Sequence, residues 1–124
     1  MYEVRVCETI CIACRVLGPD GTLGSLHGHN WTVELHVGAA ALDATGRVTA
    51  VDLGALLHDV VDPIDHRTLD DLAPFQDPAS RTAPAFAGWV ARRIAPSLDG
   101  SARLLRVVVR DGTGRMATFA PEDR

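Results

Sequence analysis

The 124 residues, 47% hydrophobic and 23% charged, have the balance of one globular domain spanning 1–124 and are too few to build a second core. No apolar run approaches the ~20 residues of a membrane span, and a net charge of −4 without a basic stripe gives no electrostatic footprint for nucleic acid, so neither partner is expected. All 12 basic residues are arginine, which excludes Schiff-base chemistry through a lysine.

The start, Met1-Tyr2-Glu3-Val4-Arg5-Val6, lacks the basic and then apolar pattern of a secretory signal, and a cytoplasmic location is the expectation. From Tyr2 to Val16 apolar residues occupy even positions, the period of a strand with one buried face. Glu8 interrupts the pattern, and a break or bulge there would reset the faces of Cys11 and Cys14. Three cysteines within the first fourteen residues favour buried thiols or a metal ligand over a disulfide framework.

Gly18 to Gly24 reads as a loop. A second strand follows, in which His27, His29, Trp31, Val33, Leu35 and Val37 alternate with polar residues, so both early histidines share the apolar side. Asp43-Ala44-Thr45-Gly46 makes a turn and Arg47 to Val51 a short extended piece. Asp52 then caps a helix whose stripe is Leu53, Leu56, Leu57, Val60 and Val61, with Pro63 helping to stop it.

Asp62 to Ser80, rich in Asp and Pro, reads as a long functional loop. A second helix starts near Thr82 with Pro84 in its first turn, buries Phe86, Val90, Ile94 and Leu98, and ends at Pro96. Leu104 to Arg110 and Arg115 to Ala120 form a hairpin around Asp111-Gly112-Thr113-Gly114. The order β-β-α-α-β-β predicts an α+β fold: one antiparallel sheet with both helices on a single face. Charge divides between the halves, with 4 Arg against 12 acids in residues 1–80 and 8 Arg against 4 acids in 81–124, giving −8 and +4. That asymmetry could help copies meet through complementary potentials, but solvated surface charge is the plainer reading.

His27 and His29 at i and i+2 lie on one side of a strand, with Cα atoms ~6.5–7 Å apart, close enough for both rings to hold one tetrahedral ion. The competing reading is a pair of hydrogen-bonded histidines. Cys14, on the neighbouring strand's apolar face, is the candidate third ligand, or else a buried small hydrophobe. In Asp65-His66 a carboxylate adjoins an imidazole and can fix its tautomer, making His66 a candidate general base; solvation or capping is the plainer alternative. His36 and His58 read as ordinary positions on a strand's polar side and on a helix.

Taken together, Cys14, Leu26-His27-Gly28-His29-Asn30-Trp31, Val51-Asp52-Leu53, Ile64-Asp65-His66-Arg67-Thr68-Leu69-Asp70 and Val109-Arg110-Asp111 resemble, in order and spacing, the 6-pyruvoyl-tetrahydropterin synthase / 6-carboxytetrahydropterin synthase family over nearly the whole chain. The resemblance implies a tunnelling fold that closes into a barrel as a homo-oligomer, a trimer or stacked trimers, with sites between subunits. It also implies zinc (Zn2+) held by three histidines and action on the small molecule 7,8-dihydroneopterin triphosphate by elimination or side-chain cleavage.

Carried over residue by residue, His27 and His29 match two metal ligands, while the third position reads Cys14. The family's catalytic cysteine falls on Leu23. Asp65 and His66 match the acid-base pair, Thr82 remains of a substrate-contact motif that has lost its glutamate, and Asp111 aligns with the pterin-anchoring carboxylate. A divergent zinc-dependent lyase is the first expectation, acting on a pterin or another hydroxylated metabolite by elimination, retro-aldol cleavage or isomerisation. A non-catalytic ligand-binding module is the second, and chemistry by the thiols of Cys7, Cys11 and Cys14 the third.

Overall fold

The computed structural model describes residues 1–122. Two long strands form its spine: β1 (Tyr2–Cys14) and β2 (His27–Ala39) pair antiparallel in unbroken register, from Tyr2 opposite Ala39 to Cys14 opposite His27. A two-residue β3 (Arg67–Thr68) lies parallel to β1, and β4 (Arg103–Asp111) and β5 (Met116–Phe119) extend the other side antiparallel, giving the order β3-β1-β2-β4-β5. The sheet is therefore mixed, not purely antiparallel as expected. Two residues are too few to show an alternating pattern in the sequence.

Helices α1 (Leu53–Val61) and α2 (Ala83–Ile94) both pack on one face. The pleat explains which residues meet them: Ile10 and Ile12 of β1, Trp31, Val33 and Leu35 of β2, and Val107 and Val109 of β4 are buried together with Leu57, Val61, Phe86, Val90 and Ile94. Asp52 and Thr82 cap the helices as expected, accepting from the backbone N–H of Ala55 (3.0 Å) and Ala85 (3.3 Å). Asp52→Ala orphans an N-terminal donor of α1, and a denaturant titration is expected to register a loss of about 1 kcal/mol.

Glu8 produces no bulge. It keeps its place on the helix-covered side because His58 of α1 reaches its carboxylate at 3.0 Å. His58 is thus a partner rather than an ordinary surface histidine, and Glu8 raises its affinity for a proton. With no bulge, Cys14 stays with the core while Cys11 faces the opposite, helix-free side. His36 also departs from expectation: on that helix-free side it is buried, its ring nitrogens 2.9 Å from Glu3 and 3.1 Å from Glu34. Arg106 and Arg110 complete the network by donating to Glu3 and Glu34.

Residues 47–51 form no strand, and β1 ends at Cys14 rather than Val16. The expected loop of residues 62–80 contains β3 and 3-10 turns at Leu69–Asp71, Ala73–Phe75 and Pro78–Arg81, which bury Leu69, Phe75 and Arg81. Among the described residues no helix is long and apolar enough to cross a membrane.

Candidate functional site

On the helix-covered side, a cleft of about 370 Å³ opens between the start of α2 and the adjoining ends of β2, β4 and β5. Sheet register and helix entry together place His27, His29, Trp31, Thr82, Asp111 and Arg115 on its walls. The pleat of β2 sends both histidines to this side, where their ring centroids lie 4.7 Å apart and His29 stacks on Trp31 at 5.7 Å.

His27 Nδ1–H donates to the Ser25 carbonyl at 3.0 Å, which orients the ring and leaves Nε2 as the nitrogen that can meet a ligand. Burial and then the neighbouring His27 lower the proton affinity of His29, against an opposing pull from Asp111. Two imidazoles on one side of a strand, one with Nδ1 engaged by a carbonyl and the other disposed to lose its proton, are the chemistry a borderline-soft cation requires.

Cys14 is completely buried and is not part of the cleft wall. Its Sγ donates to the Arg81 carbonyl at 3.7 Å, and burial followed by the nearby Asp70 charge pushes its thiol up, with Arg81 opposing. It lies directly across the strand pair from His27, where side chains on the same face have Cβ atoms ~4.5–5.5 Å apart. In this rotamer it faces the core rather than the histidines.

Asp111 holds the hairpin turn. One carboxylate oxygen accepts from Thr113 N (2.9 Å), Thr113 Oγ1 (2.6 Å) and Arg115 N (3.1 Å). The Thr113 hydroxyl is the main reason that its carboxyl titrates below the usual range, so it stays an anion at the mouth of the cleft. Thr82 lines the opposite wall while serving as the cap of α2.

Asp65 and His66 lie elsewhere, beside β1 at the sheet edge. Asp65 Oδ2 is 3.1 Å from His66 Nδ1, Asp65 Oδ1 accepts from Cys11 N at 2.8 Å, and His66 N–H donates to the Cys11 carbonyl at 2.7 Å. His66 has φ +62°, unique among non-glycine described residues, and its side chain is 77% exposed. Among the described residues one group of metal-ligating atoms gathers within 4.8 Å: Cys11, Asp65 and His66. Neither Asp65 nor His66 lines the histidine cleft.

Two participants escaped the sequence reading. Arg81 is 6% exposed and clamps residues 70–81 to the end of β1, donating to Asp70 Oδ2 (3.1 Å) and to the carbonyls of Phe75, Arg15 and Gln76. Cys11 was noted only as a thiol; its position beside His66 follows from the short parallel β3. Its odd number, opposite in parity to Cys14, was the available signal.

The family model described as 6-pyruvoyl tetrahydropterin synthase matches residues 3–122. Among solved structures, the Caenorhabditis elegans 6-pyruvoyl tetrahydropterin synthase superposes with a TM-score of 0.75 at 20% identity, covering 98% of this chain and 96% of that one. An uncharacterized protein from Wolinella succinogenes gives 0.71 at 19% identity, covering 98% of each. A catalytic-residue mutant of the Plasmodium vivax 6-pyruvoyltetrahydropterin synthase gives 0.69 at 16%, again covering 98% of each. No curated protein matches the chain significantly. The near-complete family match, on a five-stranded sheet with two helices that carries the tunnelling fold, shows that the chain belongs to the 6-pyruvoyl tetrahydropterin synthase family.

Proposed function

We propose that the protein is a zinc-dependent lyase acting on the side chain of a reduced pterin, 7,8-dihydroneopterin triphosphate being the first substrate to test. The observation that carries this reading is the cleft whose walls bring together His27, His29, Thr82 and Asp111. His27 and His29 would hold the metal, with Cys14 as third ligand once its thiol turns from the Arg81 carbonyl. A bound zinc would supply Lewis-acid polarisation of substrate oxygens. Asp111 offers an anionic acceptor for the N–H edge of the pterin, and Trp31 and Met116 give an apolar wall. His66, oriented by Asp65, takes up and returns the proton.

Because His66 does not line its own cleft, the reading has a second copy of the chain present it. Leu17, Leu23 and Leu26 stay 45–51% exposed beside the strand ends that carry the histidines, an apolar rim suited to contact between copies. The assembly is thus proposed to be a homo-oligomer with shared sites, a trimer or stacked trimers.

Elemental analysis of protein purified without added metal, together with chromatography of 7,8-dihydroneopterin triphosphate reactions, tests this. About one zinc per chain is expected, falling by roughly tenfold or more in affinity for His27→Ala, His29→Ala and Cys14→Ala, since each removes a direct ligand. Unchanged zinc in Cys14→Ala would remove Cys14 from the ligand set. No zinc and no turnover, with ligand-induced stabilisation retained, would move the assignment to a non-catalytic binding module.

A further inference from the structure

We infer that Cys11 is the thiol of a Cys11–His66–Asp65 proton relay, a second proton-carrying group beside His66 for the lyase reading on which this inference rests. Position 23, where the family resemblance places the catalytic thiol, is a leucine and cannot exchange protons. Cys11 is instead fixed against the Asp–His pair by two backbone hydrogen bonds, its N–H to Asp65 Oδ1 at 2.8 Å and its carbonyl from His66 N–H at 2.7 Å. Its sulfur lies within 4.8 Å of both the imidazole and the carboxylate ligand atoms.

The division of labour follows from hydrogen-bond capacity. Asp65 accepts the Cys11 N–H with one oxygen and keeps the other 3.1 Å from His66 Nδ1 as an ion-pair contact, so it is the positioning residue and the ring is the group left to trade a proton with the thiol. Asn30 Oδ1 accepts from Cys11 Sγ at 2.9 Å, which holds the sulfur in place beside the pair; the S–H turns from Asn30 toward the ring for the transfer. A cation held by Asp65 and by His66 Nδ1 would have to enter the 3.1 Å contact between them, which is why the arrangement suits a relay better than a metal site. Cys11 and His66 are both exposed, as groups meeting a substrate from a neighbouring cleft must be, whereas Cys14 is sealed in the core.

The step moves protons only. The Cys11 thiol gives its proton to His66, leaving a thiolate and an imidazolium. The thiolate then takes a proton from the side-chain carbon beside the C=N bond of the dihydropterin ring while the imidazolium gives one to that nitrogen. Thiol and neutral imidazole are restored, the substrate is tautomerised, and no oxidant or reductant is consumed.

The test is iodoacetamide labelling of the intact protein at neutral pH, each cysteine resolved by peptide mass. Cys7 is the exposed thiol on the same strand for comparison, and buried Cys14 reports on folding. Cys11 is expected to label at least about tenfold faster than Cys7. His66→Gly removes the ring while tolerating the positive φ, and is expected to bring the Cys11 rate down to that of Cys7, with Cys14 still protected.

Equal rates for Cys7 and Cys11 in the wild type, or a Cys11 rate unmoved by His66→Gly, overturns the relay. Protection of Cys11 by added Zn2+ that is lost in His66→Gly would identify a metal site and also overturn it. In turnover assays Cys11→Ser is expected to lower kcat about a hundredfold with little change in KM, within the range for lost acid-base catalysis, while Cys7→Ser changes neither. Labelling needs no substrate, so fast labelling beside absent pterin turnover would sink the functional reading and leave the relay standing.

Discussion

Arg81→Met is expected to cost about 3 kcal/mol of unfolding free energy, since breaking one side of a buried ion pair strands the other charge. Asp70, whose side chain is 14% exposed, would lose the closer and more buried of its two guanidinium partners and keep Arg15, through its N–H at 3.1 Å and its half-exposed side chain at 3.4 Å. Phe75, Gln76 and Arg15 would lose the donors to their carbonyls. Because Arg81 directly precedes the Thr82 cap, the entry of α2 should loosen, and with it the wall of the cleft.

Acid unfolding supplies the second readout. Burial raises the Asp70 carboxyl, but hydrogen bonds from Arg15 and the Arg81 charge outweigh it and hold the group below its usual value. A carboxyl depressed in the folded state contributes stability above its unfolded pKa of about 3.9 and loses it as pH falls through the folded value. Part of the wild-type stability loss below about pH 4 should therefore be missing in Arg81→Met. Urea titrations from pH 7 to 3 check both points; equal stabilities across that range would show that the clamp contributes nothing. Asp70→Asn with Arg81→Met should cost less than the two single effects added, because the residues share one interaction.

How much of this was legible in the sequence depends on the physical origin of each feature. The even-numbered stripe of β1, the Asp52 and Thr82 caps and the apolar face of α1 could be read because each is a local rule, set by pleat, helix period or the geometry of a first turn. Glu8 misled because its partner, His58, is fifty residues away, and a charge on an apolar stripe looks like a break until something satisfies it. Arg81 looked like any loop arginine. Only the fold of residues 69–81, three short turns held largely by that side chain, buries it.

The same distinction governs the site. His27 and His29 could be placed together because two residues of strand fix their common side, and the cleft does join them to Thr82 and Asp111. The grouping of Cys11 with Asp65 and His66 rests on a parallel pairing over two residues, which leaves no periodic trace. Cys14 shares a face with His27, yet the side chain rotates toward Arg81, a choice that register does not determine.

His66→Gly is expected to cost about 10²- to 10⁴-fold in turnover, the range for losing a positioned acid-base group, while leaving the protein as stable as the wild type or more so. The two effects diverge because His66 holds φ +62°, a conformation that costs an L-residue roughly 1–2 kcal/mol and glycine almost nothing. Glycine's greater freedom in the unfolded chain returns roughly 0.5–1 kcal/mol of that, so the net gain should be about 0.5–1 kcal/mol. The bond from His66 N–H to the Cys11 carbonyl belongs to the backbone and survives the change. His66→Asn, which tolerates the left-handed region but carries no titrating ring, should match glycine in lost turnover and lie near the wild type in stability. Denaturant melts and single-turnover kinetics on the three proteins decide the matter. Destabilisation of the glycine variant would mean that the side chain's ion-pair contact with Asp65 outweighs the backbone strain, and turnover at the wild-type rate would remove His66 from the reaction. A stable but inactive variant would show instead that strain at this residue is retained for the position of its ring.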